Sequence, residues 1–211
     1  MAEERRANAR TRDEVEAELR RSHAAGDFEA VATLALRYYG PEVLGFLVAM
    51  RRDAQSASEV FSQFCEDLWL GVPHFAWASS FRTWAYVLAR HALVRYGKDA
   101  FRRRSVPFSR HPGLEQLEQQ VRTQTMPYLR TDMKQRAARL RERLAPDEQA
   151  LLVLRVDRGL SWNDIARVLG GHEPGLTPAD LGKEATSLRK RFERIKAKLK
   201  ALMAQSMPDD V

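Results

Sequence analysis

"SSFRTWAYVLARHALVRYGKDAFRRR", residues 79–104, decides the fold class. Phe81, Trp84 and Leu88 fall at i, i+3 and i+7 on one face of a helix, and Arg82, Tyr86 and Arg90 at i, i+4 and i+8 on another. The spacing predicts one face that packs and one that is cationic and aromatic. Guanidinium groups neutralise phosphates and aromatic rings stack on bases without demanding a sequence, so the second face suits single-stranded nucleic acid. An ordinary amphipathic helix with solvated arginines gives the same pattern.

The same three- and four-residue recurrence extends in both directions, and alternating runs of Val, Ile and Thr are missing, so the expected fold is all-α. In "SEVFSQFCEDLW", residues 58–69, Val60, Phe61, Phe64, Cys65, Leu68 and Trp69 form a broad apolar stripe, with Glu59, Ser62, Gln63 and Glu66 on the other side. Cys65 lies inside the stripe and reads as a small buried hydrophobe. Before it, "FEAVATLALRYYGPEVLGFLVAM", residues 28–50, reads as two core helices with a Pro-initiated restart at Gly40-Pro41. The loop "GVPHFAWASS", residues 71–80, holds Phe75 and Trp77, which either tuck into the core or wait for a flat ligand. Residues 1–24 are so charged that a solvated helix or a disordered arm is expected.

Past Arg104 the periodicity dissolves at three prolines, and residues 105–131 read as a linker with one short helix at 114–121. Periodicity returns in a second domain, 132–205, followed by a tail, 206–211. There Pro146, Asp147 and Glu148 open a helix and Gly159 stops it. In "GLSWNDIARVLGG", Ser161 and Asp164 have capping spacing, Ile165, Ala166 and Leu169 form an apolar face, and Gly170-Gly171 ends the helix. "TPAD", residues 177–180, starts another, whose stripe of Leu188, Phe192, Ile195, Leu199 and Leu202 lies opposite Lys183, Thr186, Lys190, Glu193 and Arg194. A capped helix followed by a long one with a basic outer face is what major-groove recognition by a helix-turn-helix requires.

Composition narrows the function classes. Across 211 residues, 35 Lys and Arg against 28 Asp and Glu give a net charge of +7, which favours a polyanionic partner, nucleic acid first. No run approaches a membrane span or a signal peptide, so a cytoplasmic chain with no membrane partner is expected. One cysteine and scattered histidines give no metal site, and no placed nucleophile or Gly-rich phosphate loop supports an enzyme or a cofactor.

With these motifs in this order, residues 27–203 resemble a bacterial sigma factor of the extracytoplasmic-function type. "SSFRTWAYVLARHALVRY" is similar to the family's promoter-melting and minus-ten segment, residues 38–69 to its polymerase-binding helices, and "TSLRKRFERIKAKL" to the helix that reads the minus-thirty-five element. The resemblance implies core RNA polymerase and promoter DNA as partners, and it allows an anti-sigma factor. It implies a first domain over 25–104 in which Glu59, Phe61 and Gln63 meet polymerase, while Phe75, Trp77, Arg82, Tyr86, Arg90, His91 and Arg95 hold the unwound strand. Phe81 and Trp84 are then core, with Arg82, Tyr86 and Arg90 free for DNA. In the second domain it implies duplex contacts by Lys183, Thr186, Arg189, Lys190 and Arg194. Gln55 and Ser58, and His91 and Arg95, depart from the family's usual residues. The connection from Leu169 to Thr186 exceeds an ordinary turn, so either the recognition helix starts at Thr177 or extra structure intervenes. A duplex-binding regulator that works without polymerase, and a helical protein-binding scaffold, are the alternatives.

Overall fold

The computed structural model describes residues 11–51, 53–98, 112–125, 143–170 and 177–206. Among the described residues all regular structure is helical. The segment 133–142, the tail past Ser206, the trailing arginines 102–104 and most of the connection between Leu169 and Thr177 lie outside them.

Helix α1 (Arg12–Ala24) opens with a capping box: Thr11 Oγ1 accepts from Glu14 N at 3.3 Å while Glu14 Oε2 accepts from Thr11 N at 2.7 Å. Of the solvated helix or disordered arm expected from its charge, the helix is what forms here, but Val15 and Leu19 are fully buried, so it is docked rather than solvated all round. Two apolar side chains four apart suffice to seat a helix whose other faces stay charged. Gly26, at φ +75°, turns the chain, and Asp27 Oδ1 accepts from Ala30 N at 3.0 Å to start α2 (Phe28–Arg51).

The restart expected at Gly40-Pro41 does not occur; α2 runs unbroken through Pro41. An internal proline costs about 3 kcal/mol through its missing N–H and its clash with the preceding turn. Leu36, Tyr39, Val43, Leu44, Phe46 and Leu47, all essentially buried along this helix, outweigh it. Helix α3 (Ala54–Gly71) is capped by Asp53, whose carboxylate accepts from Ser56 N at 2.6 Å. Burial of Ala57, Val60, Phe61, Phe64, Cys65 and Leu68 confirms the expected stripe. A 3₁₀ turn (Val72–His74) and a short loop lead into α4 (Phe81–Lys98). Gly71 is obligatory for packing, because a Cβ there would sit 2.8 Å from Trp84 Cζ2.

The start of α4 is held by α1. Glu16 accepts from the backbone N–H groups of Phe81 (2.8 Å) and Arg82 (3.0 Å) and from the Tyr39 hydroxyl (2.7 Å). A carboxylate at a helix N-terminus satisfies orphan donors and the helix dipole together. Glu16→Ala is expected to destabilise the chain by about 1–3 kcal/mol, because part-buried donors lose a charged acceptor. A urea titration in which the Glu16→Ala midpoint equals wild type would contradict this.

Helix α5 (Pro112–Thr125) is longer than the short linker helix expected, and it packs on α2 and α3. Leu117 and Val121 are buried, and Val121 comes within 3.2 Å of where a Cβ on Gly40 would stand. The second unit follows: α6 (Pro146–Leu152) runs into a π-helical turn (Val153–Asp157), closed at Gly159 with φ +63°. Helix α7 (Trp162–Leu169) has Ser161 as its cap and ends at Gly170, as its residues predict. Helix α8 (Pro178–Ser206) starts at Thr177, whose hydroxyl accepts from Asp180 N at 3.2 Å. Of the early start and the extra structure that the sequence left open, the early start is therefore observed.

Candidate nucleic-acid and polymerase interfaces

Helix α8 has two chemically distinct sides. Leu181, Ala185, Leu188 and Ile195 are buried, and Phe192 is half-buried with its ring edge-on to Trp162 at 5.5 Å. Lys183, Thr186, Arg189, Lys190 and Arg194 are all exposed, on the side predicted for duplex contact. Lys183 lies 3.7 Å from Asp180, and the Arg189 guanidinium stands 6.0 Å over the Trp162 ring. Such exposed pairs are weak, so these cations remain available to phosphates or base edges.

Helix α4 differs from expectation. Phe81 and Trp84 are core, as read, but residues 81–87 are all buried, and Arg82 and Tyr86 are not free. The reason is a second packing partner: α7 packs on the side of α4 that the helical wheel leaves polar, while α6 and the π turn pack on α2 beside it. Arg82 donates Nε and Nη2 to the two Glu42 oxygens at 2.7 and 2.8 Å, and Nη2 also to the Arg158 carbonyl at 2.8 Å. Burial alone would weaken proton binding by Arg82, but the hydrogen bonds and charge of Glu42 reverse this and raise its pKa. Thr83 Oγ1 donates to Asp164 Oδ1 at 2.9 Å, and Arg90 pairs with Asp147. Tyr86 is fully buried edge-on to Phe46 at 5.6 Å, where it cannot stack on a base, and its burial raises the hydroxyl pKa.

The remaining strand-binding candidates separate by exposure. Phe75 is a core ring, stacked on Trp84 at 4.6 Å and edge-on to Phe81 at 5.3 Å, so the alternative in which loop aromatics fill the core holds for it. Trp77 is half-buried beside it, with a ring separation of 4.8 Å. His91 is half-buried, while Arg95 is exposed and paired with Asp67. Burial raises the Asp67 carboxyl pKa against the lowering pull of Arg95.

On α3, Phe61 is fully buried against Phe64 and cannot meet a partner directly, which corrects its placement among polymerase contacts. It falls within the apolar stripe, where the helix needs it for packing. Glu59 is half-buried and accepts from Tyr96 Oη at 2.8 Å and Gln55 Nε2 at 2.9 Å. Gln63 is exposed and reaches Glu66 and Asp67. The neighbouring edge is occupied by α5: Ser62 donates to the buried Glu118 at 2.7 Å, and Arg122 donates to Ser58 O and Ser62 Oγ, both at 2.7 Å. Residues missed by sequence reasoning are Glu16, Glu42, Asp147 and Asp164 as partners of α4; Asp147 and Asp164 carried a signal, in both cases for the start of a helix.

Comparison with known proteins fits this geometry. Residues 35–105, which span most of α2, all of α3 and all of α4, match the family Sigma-70 region 2. The chain is 27% identical over 135 residues to the RNA polymerase sigma factor YlaC of Bacillus subtilis (strain 168), covering 64% of this chain and 76% of that one. No solved structure matches. Among the described residues, no helix is long and apolar enough to cross a membrane. The helices that carry the aromatic and arginine-bearing segment thus match a sigma-70 region 2, and the chain is similar to a sigma factor over most of that factor's length.

Proposed function

We propose that the chain directs core RNA polymerase to its promoters through two units, 25–104 for polymerase docking and strand capture and 132–205 for duplex recognition, joined by 105–131. The observation that carries this reading is the region 2 match over α2–α4. It is supported by the exposed cations on one side of α8, a surface suited to a major groove. Helix α7 then serves as the first helix of a helix-turn-helix and α8 as the second. On α3, Glu59 and Gln63 are the polymerase-facing candidates. For strand capture the candidates are Trp77, Arg90, His91 and Arg95. Because α7 packs on α4, and Arg82, Thr83 and Arg90 bond to the second unit, the two units must part before α4 can receive a strand. An anti-sigma factor would act by holding them together or by covering either face.

Run-off transcription by core polymerase with and without the chain tests the whole reading. Promoter-dependent product only in its presence is the expected result; duplex binding with no polymerase association would favour a regulator instead. On α8, Lys190→Ala is expected to weaken duplex binding while leaving the thermal midpoint in place, because an exposed substitution changes stability by only about 0.5 kcal/mol. The slope of log affinity against log salt should shrink by about one if Lys190 contacts a phosphate. An unchanged slope would remove Lys190 from the interface.

A further inference from the structure

Trp77 has φ +56°, the left-handed region, and it is the described non-glycine residue that does so. A bulky side chain there is strained and persists only where its surroundings over-determine it. Those surroundings come from α1, which lies outside the region 2 match. His23 accepts from Trp77 Nε1 at its Nδ1, 3.3 Å away, and its Nε2 lies 2.9 Å from the Val72 carbonyl oxygen. An indole N–H can only donate and a carbonyl can only accept. In this arrangement Nδ1 accepts and Nε2 donates, so His23 acts as a rigid link between two points of the loop. The Arg20 guanidinium stands 4.8 Å over the Trp77 ring. Glu16, one turn earlier on the same helix, fixes the far end of the loop through the Phe81 and Arg82 N–H groups. One helix thus anchors the beginning, the middle and the end of the segment that carries Trp77.

We propose that α1 is the positioning element for strand capture, with His23 and Arg20 holding Trp77 preset to receive one unstacked base of single-stranded DNA. This rests on the reading of the loop and α4 as the strand-binding segment. In that geometry the strain at Trp77 is met by the fold before DNA arrives, so the ordering cost of placing an aromatic platform is not charged against the base. Arg20 is exposed, which leaves its charge near the path of a phosphate backbone.

The test uses the full chain with core polymerase and the variants Trp77→Ala, His23→Leu and His23→Gln. Glutamine carries one acceptor and one donor and can reproduce both His23 bonds, whereas leucine reproduces neither. Run-off yield is measured on a matched duplex and on a template mismatched across the minus-ten element, alongside polymerase assembly and the urea midpoint. His23→Leu is expected to lower yield on the matched duplex about fivefold or more, the low end of what a lost base–aromatic stack is worth. The mismatched template should restore most of that loss, and His23→Gln should stay within about twofold of wild type. The inference is overturned if Trp77→Ala loses yield on the duplex while His23→Leu does not. It is equally overturned if His23→Leu loses equally on both templates, which marks a purely structural role. If Trp77→Ala matches wild type on both templates, the strand-capture reading itself fails.

Discussion

Oxidation of a Thr83→Cys/Asp164→Cys variant is expected to drop promoter-dependent transcription to the level seen without the chain, and reductant to restore it. The two native side chains meet across the α4–α7 contact, with their oxygens 2.9 Å apart, so this is the place at which the two units can be tied. The natural chain has one cysteine, Cys65, which is buried and whose thiol pKa burial pushes up, so it does not compete for the oxidant. With the tie closed, Arg82 and Thr83 stay bonded to the second unit and Tyr86 stays buried, so the start of α4 is closed to a strand. The contact also holds uncompensated polar groups. Tyr86 Oη and Arg158 Nε are buried there without a hydrogen-bond partner among the described residues, and each such group costs about 1–3 kcal/mol. The Arg90–Asp147 pair is half open to solvent on its acidic side and adds little. Equal transcription from the oxidised and reduced forms would show that α4 works with the second unit in place.

What the sequence revealed follows the reach of each interaction. The cap of α7, its end at Gly170 and the sidedness of α8 depend on residues within four positions of each other, and all three were legible. The stripe on α3 was legible for the same reason, although Phe61 was then misassigned to a partner when its own core claims it. Arg82 and Thr83 find their partners 76 and 81 residues away, and no periodicity announces that the polar side of an amphipathic helix will be covered by a second unit. Charge misled in the same way at α1, where two buried apolar residues outweigh a charged composition. Pro41 is the complementary case. A local rule predicts a break, and burial on both sides of it prevails.

Arg82→Ala is expected to lower the stability of the chain by about 3 kcal/mol or more, an effect that would be mistaken for loss of a DNA contact if only activity were measured. The side chain is nearly inaccessible, at 7% exposure against 23% for Glu42, and it satisfies three acceptor positions at once. Truncation leaves Glu42 without its cation beside the apolar flank of α2 and leaves the Arg158 carbonyl without its donor, so the penalty exceeds that of an exposed ion pair. Arg82→Lys keeps the charge but not the planar fork, which cannot be replaced at the bidentate contact, and should recover only part of the loss. Replacing both partners, as Arg82→Met with Glu42→Leu, should cost less than Arg82→Ala alone, because no buried charge is then left unpaired. Urea titrations supply the midpoints, and an unchanged slope shows that the unfolding transition is the same one. If Arg82→Ala keeps the wild-type midpoint and loses binding to single strands, Arg82 reaches DNA in the separated form and its pairing with Glu42 is dispensable to the fold. If the midpoint falls and the double replacement restores it, Arg82 holds α4 against α2 and against the second unit, and the strand is left to Trp77, Arg90, His91 and Arg95.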